Sequence, residues 1–380
     1  MGGRKIGRIA RFILLMTVLL MGACSGRGDG VRSAKSQSGR EYFQEWKEIT
    51  REEDPLVPLQ SEKGVFRSAL GWLDARRVAV CEEQDGKTVV SSYGLKSGRK
   101  EEIFTLDSPI TSAQLSPSGR MILVHTVPSP YESDLIIYDA KTGKKRYETR
   151  LEAWDLAIEW NPFNEEELLV TTFFEDWSYE VYRIHMGREN IQKIGLEQPF
   201  AIWRNEDSFA YLDWGPEGMD MTAPLIVAGD GQEKRLFPDR TFYYLDGWKE
   251  AFLAIGPDRK DINRAEFILF DQQAALETAF SVPHLSTFSG WQIPNYDYSP
   301  ETGDFFLIEP KESGEADVYH GGFRLVKRNI SGNGSEVILE NAENEPIRCS
   351  PDGAYCLSGY FLEKVIDVQG KTIEDLVQTN

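Results

Sequence analysis

Four cysteines and four histidines in 380 residues leave little material for metal or redox chemistry. No CxxC pair occurs, and His125, His185, His284 and His320 stand far apart without paired spacing, so neither zinc nor haem has a local ligand set. Core or surface positions are the expectation for all four. A P-loop, a dinucleotide fingerprint, a CxxCH site and a DxDxDG calcium loop are also missing, so no cofactor is expected. The absence of a GxSxG nucleophile elbow disfavours esterase and peptidase chemistry, even though Tyr319-His320-Gly321-Gly322 has the make-up of an oxyanion strand.

Positive charge is scarce as well. With residues 1–23 set aside, 38 basic residues face 61 acidic ones, a formal charge of −23. Such a surface repels phosphate backbones and anionic headgroups, which argues against a nucleic-acid partner and against electrostatic adhesion to membranes. The apolar run over residues 12–20 is short for a bilayer span and follows Arg4, Lys5, Arg8 and Arg11, so it reads as an export signal. Leu20-Met21-Gly22-Ala23-Cys24 then reads as a bacterial lipobox, with Met21 in place of the usual Leu. The expectation is a lipoprotein signal peptide over residues 1–23, lipidation at Cys24, and a flexible Gly- and Ser-rich tether over residues 24–40. Membrane attachment then rests on the N-terminal lipid, at the outer face of the bacterial cytoplasmic membrane. Tyr42, Trp46 and Ile49 recur at helical spacing and predict a short amphipathic segment within residues 41–64, packed on the outside of the body.

From residue 65 to 380 the chain repeats itself. Apolar anchors at Trp72, Leu115, Trp160, Trp203, Trp248, Tyr298 and Cys349 recur every 43 to 51 residues, each followed by a tight turn and a run of strand formers. That period matches one four-stranded blade of a β-propeller. The turns repeat too: Ser116-Pro117-Ser118-Gly119, Asn161-Pro162-Phe163-Asn164 and Ser350-Pro351-Asp352-Gly353 each supply Pro and then a residue tolerant of positive φ. In blade 2, for example, strands are expected over residues 110–115, 121–127, 134–139 and 145–151. The fold expected is an all-β, seven-bladed β-propeller, with a six-bladed ring as the alternative. Cys81, Cys349 and Cys356 are odd in number and fall in predicted strands or at an anchor, so small buried hydrophobes are expected rather than a bridge.

Function on such a scaffold is a matter of loops. The connections from second to third strand and those from blade to blade open on one face, and each of the first six second-to-third connections carries at least two carboxylates. Asp176, Trp177, Asp213, Trp214, Asp220, Asp258, Asp261 and Trp291 are the candidates for binding a ligand or partner there. Carboxylates with aromatic rings suit a cationic ligand or a basic patch on an envelope protein. The competing view is that acids are common in solvated loops of so acidic a chain.

The lipobox at Cys24 followed by SPxG-type turns resembles the YqgU-like lipoproteins of Gram-positive bacteria over most of residues 66–377, and the turns are more distantly similar to those of TolB and WD40 propellers. The resemblance implies six blades where the anchors count seven, and it transfers no catalytic residue. The expected role is therefore a non-catalytic binding module acting through an acidic loop face; the alternative is a propeller hydrolase or lyase acting on an envelope or extracellular polymer.

Overall fold

The computed structural model describes residues 55–61, 64–215, 221–229, 231–271, 273, 275–288, 290–332 and 334–378. The signal peptide, Cys24, the tether, the helical spacing around Trp46 and the candidate Asp220 all lie outside the described residues.

Among the described residues seven four-stranded antiparallel sheets follow one another along the chain, each from consecutive strands except in blade 6, where Gly314–Glu315 intervenes. Blade 1 shows the plan: Val65–Trp72, Arg77–Gln84, Lys87–Gly94 and Lys100–Leu106. First strands lie against each other between blades 1 and 2, 4 and 5, 6 and 7, and 7 and 1, and the last of these pairs closes the ring. Alternation does the rest, because successive residues of a strand point to opposite faces of the sheet. In blade 3, Leu168 and Val170 pack against blade 2 while Leu169 packs against blade 4. The buried hydrophobic residues accordingly divide into seven clusters, one for each junction between blades. A seven-membered set of junctions requires seven blades.

The anchors sit where the repeat put them, at or beside the last residue of each first strand, from Trp72 to Cys349. In the turn that follows, Ser116 Oγ accepts from Met121 N at 3.2 Å and Ser350 Oγ from Tyr355 N at 3.1 Å. Asn161 Oδ1 takes the same role for Phe163 N and Asn164 N. Gly119 supplies a φ of 70° in this turn, and a Cβ there would come within 2.6 Å of the Leu73 carbonyl oxygen of blade 1. The turns thus join neighbouring blades as well as consecutive strands.

Two features depart from the sequence reading. Cys349 and Cys356 form a disulfide: they are directly opposed on the first two strands of blade 7, so register brings the sulfurs together, and Cys81 stays free and buried. Ahead of blade 1, Leu59 pairs in parallel with Val377, and it is 1% exposed in the junction between blades 1 and 7. Finally, a small sheet of Leu285–Thr287, Gly290–Trp291 and Gly314–Glu315 tops blades 5 and 6, beyond the four-strand rhythm.

Candidate functional site

Because consecutive strands are antiparallel, the second-to-third and blade-to-blade connections share one end of the ring, the loop face. The other end, the turn face, carries the first-to-second and third-to-fourth turns. All seven exposed aromatic side chains among the described residues lie on the loop face: Tyr131, Trp154, Trp177, Phe200, Phe288, Tyr360 and Phe361. Scattered exposed hydrophobes are ordinary, but here the exposed rings are confined to one end.

Four of these rings, Tyr131, Trp154, Trp177 and Phe200, come from blades 2 to 4. Tyr131 and Trp154 lie tilted at 57° with ring centroids 6.0 Å apart, fixed by the backbone bonds Ala153 N to Tyr131 O and Trp154 N to Phe173 O. They wall a groove of about 690 Å³ between blades 2 and 3, whose other walls include Glu132, Glu152, Glu175 and Asp176. Trp177 stands next to it, 88% exposed, in a turn closed by its own N–H on Phe174 O. Its φ is 65°, a region usually left to glycine or asparagine.

The sequence-derived candidates divide. Asp176 and Trp177 belong to or flank this groove. Trp214 lines a separate cavity at the ring centre, with its ring partly buried against the junction between blades 4 and 5. Trp291 is no open platform, because its ring lies tilted against Tyr243 at 5.1 Å and His284 at 5.6 Å. Asp258 lines a cavity of about 520 Å³ shared with Asp239, Arg240, Arg259 and Lys260, a mixed rather than purely acidic setting. Several loop acids also hold turns together: Asp176, Asp213, Asp258 and Asp261 each accept from the backbone N–H two residues on. Hydrogen bonds from Ser178 hold the Asp176 carboxyl below its ordinary range, and Asp258 is lowered by the Ser281 hydroxyl and Lys260 N.

A second concentration of chemistry was missed from the sequence. Glu159, Asp246, Asp297 and Arg348 come from the first strands of blades 3, 5, 6 and 7; Asp246 acts on Glu159 and Asp297, and Arg348 on Asp246 and Asp297. The Tyr296 hydroxyl donates to Asp246 Oδ2 at 2.5 Å and shares a 3.0 Å bond with the Tyr244 hydroxyl. Asp297 Oδ2 accepts from Cys349 N at 2.6 Å. Burial pushes all three acids up, Asp297 to about 6 and Glu159 to about 8, with Asp246 adding to the shift of Glu159. A signal was available: Gln114, Glu159, Asp297 and Arg348 each immediately precede an anchor, a polar residue in an otherwise apolar strand end.

A curated relative, the uncharacterized lipoprotein YqgU of Bacillus subtilis, is 22% identical over 326 residues, covering 86% of this chain and 88% of its own. The crystal structure of the uncharacterized protein lmo1340 from Listeria monocytogenes is similar with a TM-score of 0.78 at 18% identity, over 85% of this chain and 98% of that one. The β-propeller domain of the Trilobed protease from Pyrococcus furiosus gives a TM-score of 0.57 at 14% identity, over 84% and 99% of the two chains. These structural likenesses show the fold alone. The family model for the YqgU-like 6-bladed beta propeller domain matches residues 94–359, a stretch that holds blades 2 to 6 whole and parts of blades 1 and 7. That description counts six blades where the described residues form seven four-stranded sheets. With most of its length matched, the chain belongs to the YqgU-like β-propeller family.

Proposed function

We propose that this protein is a lipid-anchored, extracytoplasmic propeller, held through Cys24 at the outer face of the cytoplasmic membrane, that binds an envelope protein or cationic ligand on its acidic loop face without chemistry. The observation that carries the reading is the segregation of every exposed aromatic among the described residues to that face. Large rigid rings give contact area at low entropic cost, and the surrounding Glu132, Glu152, Glu175 and Asp176 select a basic counterpart. The likeness to a lipoprotein over most of both chains supports the anchor.

The test is a crosslinking pull-down from membranes with the native lipoprotein beside a variant carrying Glu175→Lys and Trp177→Gly, with circular dichroism confirming that both are folded. Glu175 accepts no hydrogen bond among the described residues, so its reversal changes charge without breaking a turn. Loss of a partner from the variant alone is the expected result. An identical set of partners in both samples overturns the assignment to this face. Turnover of a polysaccharide by the purified protein overturns the non-catalytic reading.

A further inference from the structure

The acids at the ring centre are not equally served. Asp246 accepts from the Tyr296 hydroxyl and from Gly247 N, Asp297 accepts from Cys349 N, and Arg348 acts on both. Glu159 receives no such help: no donor among the described residues reaches its carboxylate, and the charge acting on it is that of Asp246, of like sign. Its side chain is exposed and lines a cavity of about 360 Å³ between blades 3, 4 and 5. Tyr243 lines the same cavity, and its buried hydroxyl has no hydrogen-bond partner. Phe200, Trp214 and Tyr244 supply aromatic wall, and the first two come from loop-face connections, so the mouth opens there.

The Tyr243 hydroxyl is buried without a partner, and the Glu159 carboxylate faces the cavity with no protein counter-charge. Aromatic walls beside uncompensated negative charge suit a cation that also carries apolar surface. Among the described residues no group of three or more His, Cys, Asp or Glu could hold a metal ion, which turns the choice to an organic cation. We propose that this cavity is a binding site for a small organic ammonium ion, with its N–H donors on Glu159 and Asp246 and its hydrocarbon against Phe200, Trp214 and Tyr244. The site is separate from the groove between blades 2 and 3 and does not rest on the partner-binding reading.

Binding has a proton signature. The groups facing Glu159 are Tyr243, Tyr244 and Asp246 from blade 5, while blade 4 contributes no ionisable side chain to the cavity. In the empty cavity Glu159 keeps its proton to about pH 8, because burial and Asp246 both oppose ionisation. An ammonium ion supplies the missing counter-charge, so the carboxyl ionises and its proton leaves to the buffer.

Isothermal titration of the full soluble chain with butane-1,4-diamine and with choline, against butane-1,4-diol, tests this at about pH 7 in buffers of different ionisation enthalpy. The expected result is binding of an ammonium probe with proton release, no binding of the diol, and a loss of at least about tenfold in affinity for Glu159→Gln. Phe200→Ala, at an exposed position, weakens binding without a folding risk, and Trp177→Gly leaves it unchanged. No heat from either ammonium probe at millimolar concentration, equal binding of the diol, or unchanged affinity in both Glu159→Gln and Phe200→Ala overturns the proposal. A failed pull-down leaves this outcome untouched, and the reverse holds too.

Discussion

Trp177 carries a bulky side chain at a φ of 65°, which costs on the order of 1 kcal/mol, and at 88% exposure it recovers little through packing. Replacement by glycine removes the strain, so Trp177→Gly is expected to unfold in urea within about 1 kcal/mol of the parent, on the stabilised side, while losing its partner in pull-downs. A marked loss of stability would mean that the ring packs in the folded state. Glu159 gives a prediction with a pH axis. Its folded pKa, about 8, lies above that of an unfolded glutamate, so the folded chain binds more protons between those values and stability falls as pH rises through that window. Glu159→Gln removes this slope. The variant's advantage in melting temperature is expected to grow from about pH 5 to about pH 8 and then level off. At this scale the sequence announced the loop rings Trp177 and Trp214 but could not separate an exposed ring from one packed like Trp291, because that difference depends on Tyr243, a neighbour 48 residues away.

At the scale of the element, the repeat unit was the most legible feature of the chain. In blade 2 the strands Ser112–Leu115, Met121–Ser129, Glu132–Asp139 and Lys145–Glu152 fall within a few residues of the positions read from period-two alternation. The turns after Leu115 and Cys349 could be read because their chemistry is local: one Ser oxygen, one Pro, one left-handed Gly. Gly119 adds a requirement that is not local, since blade 1 backbone occupies the space a side chain would need. Gly119→Ala is therefore expected to cost about 2 kcal/mol or more in urea unfolding, from the combined penalties of left-handed backbone and displaced neighbour. Gly231 also has a positive φ but open space beside it, so Gly231→Ala is expected to cost only about 1 kcal/mol. The Cys349–Cys356 bridge escaped the sequence because three cysteines in strands permit several pairings, and register on blade 7 decides between them.

The whole ring depends on its seam. No blade is shared between the two ends of the chain, so closure falls to the cluster between blades 1 and 7 and to residues 55–60. Leu59 N donates to Leu376 O at 2.6 Å, Gln378 N returns to Leu59 O at 3.0 Å, and Trp72 Nε1 reaches Arg348 O at 2.7 Å. Leu59→Ala is expected to destabilise by about 2–5 kcal/mol, with faster amide exchange concentrated in Val65–Trp72 and Thr372–Asp375. Uniform acceleration across all blades would mean that the seam is not a separate opening unit. Ring closure is also why the central acids were illegible: Glu159, Asp246 and Asp297 are dozens of residues apart, and only a completed circle brings first strands of different blades to one axis.

Residues 55–60 have a mechanical consequence. Val57 N bonds to Leu95 O at the turn face, and Ser61 Oγ reaches Glu82 near the loop face, so the segment climbs from one end of the ring to the other beside the last strand. Tension on the upstream chain enters at the turn face and acts along this parallel pair, where the bonds resist together in shear instead of opening one by one.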